Sequence, residues 1–132
     1  METSRQLVEK IINVLDLELQ EIRMFQIEGS QHSFEIWVND HVIDGIMNVS
    51  AIDTKHKTHW DDNRYFTETS TSFTIDITEG TYFNEYGCDI TTLDKISDAS
   101  NYLDLINKMR KMIVEEIEKD PGHYYESANG MS

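Results

Sequence analysis

The stretch EIRMFQIEGSQHSFEIWVND, Glu21 to Asp40, decides the fold class. Arg23, Phe25 and Ile27 alternate with Met24 and Gln26, and Phe34, Ile36 and Val38 alternate with Glu35 and Trp37. A period of two marks strands with one covered face. Between the two runs stands EGSQ, whose Gly29 supplies the permissive backbone that a chain reversal needs. The stretch therefore reads as a β-hairpin.

Outward from this hairpin the pattern continues. Asn39-Asp40-His41 gives a second turn, followed by VIDGIMNVSAI. Asp44-Gly45 inside that run is read as a bulge or bend in one long strand, because a hairpin there would leave arms too short to pair. After Ile52 the chain turns polar as far as Arg64, which predicts a long loop or hairpin connection. Phe73, Ile75 and Ile77 then alternate with Thr74, Asp76 and Thr78 in a fourth strand. Glu79-Gly80 is a turn candidate, and TYFNEYGCDITTL predicts a fifth strand interrupted near Gly87.

Helical periodicity brackets the strands. Thr3 with Gln6 has capping-box spacing, and Leu7, Val8, Ile11, Ile12 and Leu15 form an apolar stripe that predicts a helix ending near Asp16. Tyr102, Leu105, Ile106, Met109, Met112, Ile113 and Ile117 define one face of a longer helix. Ser97, Asp98 and Ser100 crowd its start, and Pro121-Gly122 stops it. The expectation is a two-layer α+β sandwich: an N-terminal helix, about five antiparallel strands in a meander, and a long C-terminal helix. Each helix has one apolar face and the sheet has one to cover, so both helices are expected on one sheet face. Residues 1–121 make a single domain, and residues 122–132 a C-terminal tail.

Composition narrows the function classes. The chain has 132 residues, with 25 Asp and Glu against 11 Lys and Arg, for a formal net charge of −14. Direct nucleic-acid binding needs clustered cations to displace counterions, and an anionic membrane surface repels this chain for the same reason. No apolar run approaches a membrane span, and METSRQ does not read as a signal peptide, so cytoplasmic residence is expected. A single cysteine, Cys88, forms no intramolecular disulfide; Gly87 before it and Asp89 after it suit a small structural hydrophobe better than a thiolate.

The most chemically crowded stretch is KHKTHWDDNRY, Lys55 to Tyr65. His56 and His59 are weak metal candidates. Three residues apart, they share a helix face but fall on opposite faces of a strand, and Lys55 and Lys57 repel a cation. His32, His41 and His123 are the further histidines. No cofactor is expected, and no nucleophile motif or glycine-rich phosphate loop is present. Paired carboxylates carry no signal in a chain with so many acids.

The distribution of charge is more informative. No Lys or Arg occurs from Met24 to Thr54 or from Tyr65 to Asp94, so Lys55, Lys57 and Arg64 form a basic island in an anionic sheet region. With Phe34, Ile36 and Val38 toward the helices, Glu35 and Trp37 face outward. These features predict a non-enzymatic acidic protein, monomer or homodimer, that engages a basic protein partner and occupies its nucleic-acid-binding surface. Immunity proteins, phage anti-defence antagonists and nucleic-acid mimics share this profile in general terms. The expected contact residues are Glu35, Trp37, Asp44, Trp60, Asp61, Asp62, Asp76, Glu79 and Glu85. The alternatives are a secretion-type chaperone or adaptor dimer that holds an extended segment along a sheet edge, and a small metal-dependent hydrolase using the 53–64 loop.

Overall fold

A computed structural model describes residues 2–61 and 64–119, with the backbone alone for 53–61 and 64–70. The element order is α1 (Ser4–Leu15), β1 (Leu19–Glu28), β2 (Gln31–Val38), β3 (His41–Asp61), β4 (Arg64–Phe83), β5 (Asp89–Thr92), a one-turn 3-10 helix (Asp94–Ile96) and α2 (Tyr102–Glu118). The five strands form one antiparallel sheet in chain order, β1-β2-β3-β4-β5. The fold is α+β, as the alternation and the two apolar stripes predict.

Local chemistry sets the ends of these elements. The Thr3 hydroxyl accepts from the Gln6 amide at 3.1 Å and the Gln6 side chain accepts from the Thr3 amide at 2.8 Å, closing the capping box of α1. Asn39 and Asp40 between β2 and β3 have φ of 47° and 67°, the left-handed pair a two-residue hairpin turn requires. Asp40 is tied back to the start of β1, its amide donating to Gln20 Oε1 at 2.8 Å. α2 begins without a side-chain cap: its N-cap is Asn101, and Ser97 bonds the Asp94 carbonyl instead. It ends at Glu118; Pro121-Gly122, His123 and the tail lie outside the described residues.

One core joins the helices to the sheet. Val8, Ile11 and Leu15 of α1 and Leu105, Met109, Ile113 and Ile117 of α2 cluster with Phe34, Ile36, Ile43, Val49, Ile75 and Tyr82 of the sheet. Each of these side chains contributes about 1.5–3 kcal/mol by leaving water. Asn101 donates to the Arg5 carbonyl and Lys108 pairs with Asp16, so the two helices run alongside one another in the same sense. No helix among the described residues is long and apolar enough to cross a membrane.

Four expectations change. The polar segment from Asp53 is not a loop: β3 continues to Asp61 and β4 starts at Arg64, paired from Asp53↔Thr71 to Asp61↔Arg64. Backbone pairing does not need apolar side chains, and the Thr and aromatic content of the segment suits a strand. Glu79-Gly80 is no turn; it lies inside β4, with Gly80 opposite Gly45. A Cβ at Gly45 would run into the Glu79 carbonyl, and one at Gly80 would strike the Leu93 side chain, so both glycines serve close packing within the sheet. The bulge or bend expected at Asp44-Gly45 of β3 is not there; the pairing is regular at both residues, and the irregularity lies in β4, where Thr78 is the extra residue between Ile46↔Glu79 and Met47↔Ile77. Residues 81–83 therefore close β4, and the fifth strand is the short β5. Cys88 is exposed in the turn that precedes it, not a buried small hydrophobe, because Asn84 to Cys88 is held by hydrogen bonds rather than by packing.

Candidate functional site on the outer sheet face

The residues that alternate with the core define the other face of the sheet. In β2, His32, Phe34, Ile36 and Val38 are buried, while Ser33, Glu35 and Trp37 are half-buried. Strand register then sets two rows across this outer face. One reads Arg23–Glu35–Asp44–Thr81–Thr92, and the next Glu21–Trp37–Val42–Phe83–Asp89. Directly opposed residues in such rows have their Cβ atoms about 4.5–5.5 Å apart. The first row is polar throughout, and the second has an apolar centre, Trp37–Val42–Phe83, with an acid at each end.

The indole of Trp37 is fixed, its Nε1 donating to Glu35 Oε1 at 2.9 Å. Trp37, Val42 and Phe83 floor a groove of about 460 Å3 rimmed by Asp40, Asp44 and Glu85. A neighbouring, smaller groove of about 300 Å3 carries Glu35, Asp44 and Glu79. Asp44 borders both. Burial, then the charges of Glu35 and Asp89, hold its carboxyl above the ordinary value. Among the described residues the cation on this face is Arg23, whose Nε lies 3.0 Å from Glu21.

At the end of the larger groove, His41, Tyr82 and Glu85 make a chain of contacts. His41 Nδ1 lies 2.7 Å from the Tyr82 hydroxyl and Nε2 lies 3.3 Å from Glu85 Oε2. The phenol hydroxyl is hydrogen-bonded to one ring nitrogen and the carboxylate faces the other, with the His41 and Tyr82 rings stacked 5.9 Å apart. Tyr82 is fully buried, so this chain joins β3, β4 and the turn after β4 and presents Glu85 at the rim. His32 is also buried, its Nδ1 donating to the Ser30 carbonyl at 2.7 Å.

Five of the expected contact residues, Glu35, Trp37, Asp44, Glu79 and Glu85, thus meet around two adjoining grooves. Asp76 is exposed on the same face, opposite Asn48 and farther along β4. Trp60 and Asp61 stand at the far end of β3, roughly 50 Å of strand from Asp44. Asp62 lies outside the described residues, as do the side chains of Trp60, Asp61, His56 and His59. The register shift between Lys57 and His59 interrupts the simple alternation that would set the two histidines on opposite faces. Among the described residues no group of three His, Cys, Asp or Glu side chains is placed to hold a metal ion.

Val42, Phe83, Asp40 and Asp89 join the site without having been expected there. Reading Gly80 as a turn hides Phe83, while the parity of Val42 beside Ile43 is a signal present in the sequence. Tyr86, 82% exposed, is presented beside the groove by a turn in which Asn84 Oδ1 accepts from the amides of Tyr86 and Cys88. Comparison with protein-family models, with curated proteins and with solved structures returns no match.

Proposed function

We propose that this chain is a non-catalytic binding protein whose outer sheet face takes a basic protein surface, of the kind that otherwise contacts nucleic acid. The observation that carries this reading is the pair of grooves sharing Asp44, where an apolar floor of Trp37, Val42 and Phe83 is ringed by carboxylates. Fixed carboxylates steer a cationic partner and set its register, and the desolvated aromatic floor supplies affinity that salt does not screen. Lysine and arginine side chains suit such a site, since their stems pack on aromatic surface while their charges meet the rim. Occlusion of the partner's nucleic-acid site needs no cofactor.

The test is affinity capture with the full chain and with Glu35→Lys/Glu79→Lys and Trp37→Ala variants, followed by nucleic-acid competition on the captured protein. The expected result is a basic protein that is retained less at high salt, lost with the charge-reversed variant, and displaced from its nucleic acid by the wild-type chain. Trp37→Ala is expected to cost about 2 kcal/mol of binding. Retention that ignores charge reversal, or a partner that keeps its nucleic acid, overturns the proposal.

A further inference from the structure

β1 is an edge of the sheet, paired with β2 on one side and with no described strand on the other. Eight of its ten residues are exposed. Leu17, Leu19, Phe25 and Ile27 are 44%, 42%, 61% and 51% exposed, so more than half of the exposed large hydrophobic side chains among the described residues fall in or beside this one strand. The edge carries no proline and no lysine, and between the register shifts at Gln20 and Ile27 the stretch Glu21–Gln26 is regular and open to pairing. Its charge is also unusual for this chain. From Leu19 to Glu28 the charges are Glu21, Arg23 and Glu28, so the strand is nearly neutral in a molecule of net charge −14.

We propose that β1 pairs antiparallel with β1 of a second copy, about a two-fold axis through Ile22 and perpendicular to the sheet. Such an axis passes through one residue of β1, so the possible registers differ by whole steps along the strand. With Ile22 opposite Ile22, Glu21 of each copy faces Arg23 of the other, giving two cross-strand ion pairs of opposite sign. One step in one direction sets Arg23 against Arg23, and one step in the other sets Glu21 against Glu21. Two steps past Ile22 toward the strand's C-terminal end set Glu21 against Ile27. The Ile22 register is the one that satisfies the charges, and the exposed Leu19 and Phe25 flank the contact on either side. Open N–H and C=O groups of both edges become paired in a continuous sheet of ten strands, five from each copy. Glu21 and Arg23 adjoin Trp37 and Glu35 but line neither outer-face groove, and the axis leaves both copies' grooves on the same side.

The test is the oligomeric state of the full chain by sedimentation over a concentration series, for wild type, Glu21→Arg, Arg23→Glu and an equimolar mixture of the two variants. Circular dichroism checks that each is folded. The wild type is expected to dimerise, and each single reversal to weaken the dimer about tenfold by opposing like charges. The mixture is expected to restore association, because the doubly cationic edge of the Glu21→Arg chain then faces the doubly anionic edge of the Arg23→Glu chain at both crossing points. Phe25→Lys, at an exposed position, is expected to break the dimer without touching the charge pair. A wild type that stays monomeric, reversals that leave the dimer unchanged, or a mixture that fails to associate each overturns the proposal. So does a monomer that instead adds an extended segment of another protein along β1. Loss of basic-partner capture in Trp37→Ala with the dimer intact separates this result from the outer-face reading.

Discussion

Asp44 has an acidic neighbour on β2, Glu35, directly across the ladder, and a second, Asp89, near enough to raise its carboxyl further. A carboxyl whose folded value is raised keeps its proton at a pH where the unfolded chain has already released it. Stability therefore falls as pH rises from the ordinary carboxylate value through the raised one, and the full cost is present above that window. Asp44→Asn is expected to raise the urea midpoint at neutral pH and to leave it unchanged below the ordinary carboxylate range. Denaturation of both proteins as a function of pH checks this, and a wild-type-like pH profile in the variant counts against it. The same substitution is expected to weaken binding of the proposed partner, so the acid is kept at the expense of the fold's stability.

At the scale of elements, the Gly45–Gly80 pair shows where the sequence is legible and where it is not. The helices can be read from their stripes and from the Thr3–Gln6 box, because those signals are local and periodic. The first hairpin can be read for the same reason. Gly80 resembles a turn residue because a glycine's need for close approach and its need for an unusual φ look alike in sequence. Which applies is decided by Leu93, thirteen residues away, which packs over it. The polar run 53–61 resembles a loop by side-chain polarity, whereas backbone pairing decides its conformation. Of the site, Glu35 and Trp37 are legible from parity within β2, whereas Phe83 needs the true end of β4. Gly45→Ala is expected to cost about 1–3 kcal/mol, since its Cβ meets backbone that cannot rotate away. Equilibrium urea unfolding measures it, and a cost near zero would show that β3 and β4 separate easily at this point.

For the whole molecule the dominant quantity is the net charge of −14. Self-repulsion of that size opposes the compact state, and added salt screens it. Raising sodium chloride from low to physiological ionic strength is therefore expected to raise the thermal midpoint of the free chain while weakening capture of a basic partner. Calorimetry beside a binding titration in the same buffers reads both, and a midpoint that falls with salt contradicts it. The order β1-β2-β3-β4-β5 has a further consequence, for the time course of synthesis. In a meander without crossovers each strand finds its neighbour as soon as the next one emerges, so the sheet can zip up from the N-terminus while the chain is still being made. The helix partners are different: α1 is complete almost at once, yet the α2 side chains that share its core come about a hundred residues later. Until then the apolar stripe of Val8, Ile11 and Leu15 lacks the packing that α2 supplies, and the interval between the two helices is when a nascent chain of this protein most needs a chaperone.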